Sequence, residues 1–442
     1  MYIFIVFGLI RLLSVYRADI GFDLNDSPSY FNPSWIYPIR MPFISYIFSN
    51  LGTYSGIVVF QTLLGVLSWI FLAYAISLFN SRNSLKIISV LLILSLGVTT
   101  PIVSFDASIL SESLTISIFN GIVASMILYF KSLKNVNLFM LLVLIIFYAG
   151  IKQSSAYISI VILFFIILFI FYKRESITTY GIQFILIGNA VLFTIFLIWI
   201  SRQNDEINNN VEVTNIIERT YDDFGSQIWF KNRGFPSIAY QTYASPPFQV
   251  PINATRALPQ MKAWEMYEKK IPIEQFAIKH PLFLLFAPLK PSFFIKPFTD
   301  NESVSASISR GYRQDKNVNM INLRTSNTSP FFLAQFDLPL LVWWSDNKDV
   351  QKFMLIIYSF VILLVLTIHF CQKLIFDRQF DFLIKILLAI FFVAVWANWH
   401  ISVTYELDRY LMPWAILLRI IFILCLTQLL DSFTKRKQFH EN

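Results

Sequence analysis

The chain has 442 residues, of which 56% are hydrophobic and only 14% charged, and its mean hydropathy is +0.60. Soluble domains carry roughly a quarter charged residues, so this chain cannot cover a water-facing surface and needs lipid. Its net charge of +8 would suit nucleic acid, but no basic helix or basic-aromatic stripe exists. Lys and Arg fall mostly in short segments between apolar runs, the positive-inside signature, so a lipid bilayer and not a nucleic acid is the expected partner. The two cysteines, Cys371 and Cys425, lie in or beside apolar runs, which leaves no disulfide framework, metal site or activated thiol.

Met1 to Tyr16 is apolar but lacks a basic n-region and a small-residue cleavage site, so it reads as a first spanning helix rather than a signal peptide. In chain order, apolar segments run from Tyr2 to Tyr16, Thr53 to Phe79, Leu85 to Val103, Ile109 to Phe130, Leu138 to Gly150, Ala156 to Tyr172, Tyr180 to Ile200, Phe353 to Phe370, Phe382 to Trp399 and Tyr410 to Leu430. The expected architecture is an all-α polytopic membrane protein of about ten transmembrane helices. The fifth segment is the shortest, and the Gly150, Lys152, Gln153, Ser154 and Ser155 that follow it fit a broken or re-entrant element.

If the spans alternate, Arg82 and Lys86, Lys131 and Lys134, Lys173 and Arg174, Lys373 and Arg378, and Lys435 to Lys437 share one side. That side is cytoplasmic by the positive-inside rule, and both termini lie there. The opposite face receives residues 17–52, the links around Pro101 to Ser108 and around Lys152, the turn from His400 to Arg409, and residues 201–349. The last of these, about 150 residues long, is too long for a connection and reads as an extracytoplasmic, partly helical loop domain between helices seven and eight. Within it Trp264 to Lys279 has a helical pattern, with Pro281 opening another short apolar element. The chain therefore divides into an N-terminal membrane module (1–200), the loop domain (201–349) and a C-terminal membrane module with a cytoplasmic tail (350–442).

The first outer segment carries Asp23 and Asp26, then Tyr30 and Arg40, among aromatic residues and prolines. A carboxylate at the membrane surface can take the proton of an acceptor hydroxyl as that oxygen attacks a sugar carbon. Asp26-Ser27-Pro28 is equally turn chemistry, and these residues alone leave both readings open. Glu112 opens an apolar run; an ionised carboxylate inside one costs roughly 2.5 to 3.5 kcal/mol unless it faces a polar cavity, which makes a functional site the default, with a snorkelling surface acid at the helix end as the alternative. Asp106 is expected at the surface.

Several motifs in order resemble the GT-C superfamily of membrane glycosyltransferases. These are Asp26-Ser27-Pro28-Ser29-Tyr30 after helix one with Arg40-Met41-Pro42 beyond it, Ser104 to Leu114 leading into the fourth helix, Lys152 after the fifth, and Tyr405-Glu406-Leu407-Asp408-Arg409-Tyr410-Leu411-Met412-Pro413 near the end. The last has one more residue between acid and base than the Glu-x-Arg-Tyr-Leu-x-Pro type of ending. The resemblance implies an inverting enzyme that takes a sugar from a polyprenyl-phosphate donor and passes it to a cell-surface glycan or lipid-linked acceptor. It acts on the outer face of a bacterial plasma (inner) membrane, and an O-antigen or serotype-modifying transferase of lipopolysaccharide suits this size.

It assigns the base to Asp26, with Asp23 as the competing assignment, and gives Glu112 the positioning of acceptor or base. Arg409, Lys152 and Tyr410 are the candidates for the donor phosphate, where forked or cationic donors meet developing negative charge. Tyr30, Arg40, Gln153, His400 and Glu406 are candidates for substrate contact. From the residues alone, interfacial anchoring is the alternative for Arg409 and Tyr410 and the favoured reading for His400 beside Trp396 and Trp399. No metal site has the right spacing; Asp26 with Glu112 would be the acids of a divalent cation, but two acids do not make a site.

Two other classes remain. A cell-envelope glycan polymerase or ligase would place its essential groups among Arg233, Arg256, Arg310, Arg313 and Arg324 of the large loop. A transporter or flippase would need charged or discontinuous sites near the membrane midplane.

Overall fold

The computed structural model describes residues 2–17, 30, 42–173, 177–201, 226–232, 276, 278–286, 348–372, 378–401 and 407–441. Every regular element among these is helical: α1 (Tyr2–Arg17), α2 (Pro42–Leu51), α3 (Tyr54–Ser77), α4 (Asn83–Gly97), α5 (Thr100–Asp106), α6 (Ser111–Ser132), α7 (Asn135–Ala149) and α8 (Gln153–Lys173). They continue as α9 (Ile177–Ser201), α10 (Ser226–Lys231), α11 (Pro281–Phe286), α12 (Lys348–Gln372), α13 (Arg378–Ile401) and α14 (Leu407–Glu441). Six of them, α3, α6, α8, α12, α13 and α14, are long and apolar enough to cross a membrane, while α1, α4, α7 and α9 contain shorter apolar stretches. Among the described residues the protein is thus all-helical, and the length and composition of these helices are those of a membrane protein. Of the segment 201–349, the described part holds the short helices α10 and α11, with Trp229, Phe230, Phe276 and His280 packed ring against ring.

The bundle is built around α6. It packs against α3, α5, α7, α13 and α14, and nearly its whole length is buried, including Ser111, Ser113, Thr115, Ser117, Asn120 and Ser125. Small and hydroxylated residues let neighbouring backbones approach closely in lipid, where helices gain no hydrophobic drive to associate. Thr115 satisfies its hydroxyl on the Ser111 carbonyl at 2.7 Å. Large apolar side chains are exposed along α1, α3, α8, α9 and α12, as a surface facing lipid requires; the exposed charges Asp349 and Lys352 stand at the start of α12.

The third apolar segment departs from the continuous span expected over Leu85–Val103. Helix α4 stops at Gly97, where the Trp69 ring lies so close that a Cβ would stand 2.8 Å from its Cδ2. Pro101 then restarts the chain in the first turn of α5, where its missing N–H costs nothing. The Gln61 side-chain amide of α3 donates to the Leu110 carbonyl at 2.8 Å. Gln61 stands two turns, about 10 Å, along α3 from Tyr54, so α6 begins below the rim of the bundle. The link between α4 and α6 forms a recessed floor.

At the other end Gln428 donates to the Phe79 carbonyl, Ser81 to Asp431 at 2.6 Å, and Gln183 to Asn135 at 3.0 Å. Arg82, Lys86, Lys131 and Lys134 gather at this end, Lys131 on the Leu78 carbonyl. Helix α14, 35 residues long, spans about 50 Å and carries Lys435, Arg436 and Lys437 beyond its apolar stretch.

Candidate active site at the recessed end of the bundle

Glu112 lies in the first turn of α6 and is buried. Facing it, α7 ends at Gly150, and Lys152 stands just before α8, its carbonyl accepting the Ala156 N–H at 3.1 Å. The expected broken element is a tight turn between two helices, pinned by the Phe43 N–H of α2 on the Gly150 carbonyl at 3.1 Å. The turn aims the Lys152 ammonium at Glu112: Nζ donates to Oε1 at 3.0 Å. The Lys152 side chain is 19% exposed and that of Glu112 2%, so the cation is the member open to the outside. Ser111 donates to the other Glu112 oxygen at 3.4 Å.

Around this pair closes a pocket lined by Glu112 and Thr115 of α6, Tyr148 of α7, Lys152, Ser154 and Ser155 at the start of α8, Asn398 of α13, and Pro413 and Trp414 of α14. Its free space is about 10 Å³, room for a single water. Pro413 sits inside α14, which frees a backbone carbonyl of the preceding turn. Trp414 is buried and packs edge-on against Phe119 at 5.0 Å. An acid, an amine, hydroxyls, an amide and an indole meeting in one recess can bind a polyol ring or an anionic group.

Of the residues singled out from the sequence, the structure brings Glu112 and Lys152 into contact. Gln153 opens α8, His400 stands two residues past Asn398 on α13, and Arg409 and Tyr410 occupy the first turn of α14, one turn before Pro413; only their backbone placement is described. Tyr30 is 2% exposed and its ring packs edge-on to Phe48 at 5.2 Å. Asp23, Asp26, Arg40 and Glu406 lie outside the described residues, as does most of Trp264 to Lys279. Among the described residues no group of three acids, histidines or cysteines is placed to hold a metal ion, and Cys425 is a buried free thiol.

Asp106 corrects the expectation of a surface acid. It is 1% exposed, and its Oδ2 accepts from Arg11 Nε at 2.8 Å and Nη2 at 2.7 Å, while Ser113 donates to Oδ1 at 2.6 Å. Arg11 also donates to the Gly97 carbonyl, so the cation closes the C-terminus of α4, where it opposes the helix dipole. Gly65 of α3 makes room: a Cβ there would lie 2.8 Å from Arg11 Nη2 and 3.1 Å from Asp106 Oδ2. A third buried charge, Arg419 of α14, donates to the Ala415 carbonyl at 2.9 Å and to Gln351 of α12 at 3.4 Å, and faces the Tyr358 ring at 5.6 Å. Sequence reasoning passed over Arg11 and Arg419, although an ionisable residue inside an apolar run is itself the signal.

No protein-family model, curated protein or solved structure matches the chain.

Proposed function

We propose that the protein is a membrane glycosyltransferase that moves a sugar from a polyprenyl-phosphate donor to a cell-surface or lipid-linked glycan on the outer face of the plasma membrane. The observation that supports this reading most is the Glu112–Lys152 pair in a recessed pocket of hydroxyls, an amide and an indole. That pocket opens at the end of the bundle where α1 delivers the segment bearing Asp23 and Asp26 and where α14 begins with Arg409 and Tyr410. In this reading ten helices span the membrane, with the basic ends and both termini in the cytoplasm. Residues 201–349 form an outer domain over the recess, and the module boundaries fall near 200 and 350.

The chemistry follows from the groups available. Asp26 takes the proton of the acceptor hydroxyl, the acceptor oxygen attacks the anomeric carbon from the side opposite the phosphate, and the sugar–phosphate bond breaks with inversion. Lys152 and Arg409 meet the charge that develops on the departing phosphate. Loss of a positioned general base slows such a step by roughly 10²- to 10⁴-fold. The test is sugar transfer from a polyprenyl-phosphate donor in membranes: Asp26→Asn abolishes it. Undiminished transfer removes the base assignment, and loss only with Asp23→Asn moves the role three residues back.

The buried Arg11–Asp106 and Arg419 groups lend some support to a transporter or flippase. Arg11 and Asp106, however, are fixed on each other, on Gly97 and on Ser113, which suits a staple better than a site that must bind and release. The arginines that a polymerase or ligase would use, Arg233, Arg256, Arg310, Arg313 and Arg324, lie outside the described residues.

A further inference from the structure

We infer that Glu112 is the resident counter-anion of a phosphate site centred on Lys152, and that the phosphate of an incoming lipid exchanges with it. The identification of that lipid as the sugar donor rests on the glycosyltransferase reading; the exchange itself does not. The pair is asymmetric, because Lys152 is the more exposed member and Glu112 lies behind it at 3.0 Å. An anion arriving from the open end therefore meets the ammonium first. Lys152 sits on a flexible four-carbon stem with three rotatable donors, so it can leave one oxyanion for another without a change of backbone. Ser154 and Ser155 line the same wall in the first turn of the 21-residue helix α8, where unpaired N–H groups favour an anion. The buried Tyr148 hydroxyl, also on the pocket wall, lacks a partner of normal hydrogen-bond geometry among the described residues.

With the pair in place the pocket has room for about one water, too little for a phosphate or a sugar, so either enters only as the pair parts. Exchange then does two things at once. The phosphate is neutralised by Lys152, and the Glu112 carboxylate is released among Ser111 and Thr115, free to accept a hydrogen bond from a substrate hydroxyl. Donor arrival thereby arms the acid that the acceptor meets next.

Equilibrium binding of a short-chain polyprenyl phosphate to the purified full-length protein tests this. Neutral polyprenol serves as the control and phosphatidic acid as a second phosphate probe. With its competitor removed, Glu112→Gln binds polyprenyl phosphate about tenfold tighter than the wild type, a change of about 1.4 kcal/mol. Lys152→Met loses this binding, the double variant E112Q/K152M behaves as Lys152→Met, and polyprenol binding is the same in all. The double variant removes both charged groups of the described pocket wall, so it carries the comparison where Lys152→Met fails to fold. Equal or weaker binding of both phosphate lipids by Glu112→Gln, or retained binding of them by the double variant, overturns the exchange, as does binding of neither phosphate lipid by wild type and Glu112→Gln alike. If phosphatidic acid shows the pattern and polyprenyl phosphate does not, the exchange stands and the sugar-donor reading falls.

Discussion

Arg11 and Asp106 show how much of this protein hangs on single buried charges. An ion pair removed from water gains little over an apolar pair of equal volume, but breaking it strands a charge at a cost of about 3–5 kcal/mol. Asp106→Asn leaves the guanidinium of α1 without its anion, and thermal unfolding in detergent is expected to show a large loss of stability. The double substitution Arg11→Met with Asp106→Leu recovers most of it. If the double variant is no better than the single one, the pair is more than a staple. Gly65→Ala is expected to cost about 1–3 kcal/mol by overpacking, because its Cβ meets both members of the Arg11–Asp106 pair; unchanged melting would show that the pair can shift. Neither charge was legible in its role. Asp106 sits beside Pro101 and Ser108 in what reads as a polar link, and only the recessed start of α6 reveals that the link is buried. Glu112 was legible, because an acid that opens an apolar helix must find a polar partner, and Lys152 supplies it.

At the scale of elements, each of the ten apolar segments falls on a helix, while the short α2 (Pro42–Leu51) had no place in the reading and one segment holds two helices. Leu85 to Val103 contains no charge beyond Lys86, so hydropathy cannot see the stop at Gly97. That stop is a packing event: the Trp69 ring occupies the place of a side chain, and Pro101 stands in the first turn of the next helix. Gly97→Ala is accordingly expected to lower the melting temperature, since an indole cannot step aside as a flexible side chain would. A neutral result would show that α4 and α3 separate easily at this point. The pocket was only half legible for a related reason. Tyr148, Asn398, Pro413 and Trp414 come from three helices that no spacing rule connects, while Lys152 and the serines after it stand in one short polar stretch.

Taken whole, the molecule has two unlike ends. One gathers Arg82, Lys86, Lys131 and Lys134 with the basic tail of α14; the other holds the recess with Glu112 and Lys152. The charge asymmetry predicts that the basic end faces the cytoplasm. In a Cys371→Ser background, Ser49→Cys at the end of α2 is expected to react with an impermeant maleimide in intact cells, and Ser84→Cys at the start of α4 only after permeabilisation; both positions are exposed. The reverse pattern would invert the protein and place the recess where nucleotide sugars are available, removing the need for a lipid donor.

The central claim, sugar transfer from a lipid carrier at the outer face, is tested most directly in sealed right-side-out vesicles given a labelled polyprenyl-phosphate sugar. The account predicts incorporation of label into membrane glycan by the wild type, a loss of about 10²-fold or more with Asp26→Asn, and none from a nucleotide sugar supplied outside. Incorporation that survives Asp26→Asn and Asp23→Asn together, or that requires a nucleotide sugar inside the vesicle, would contradict it.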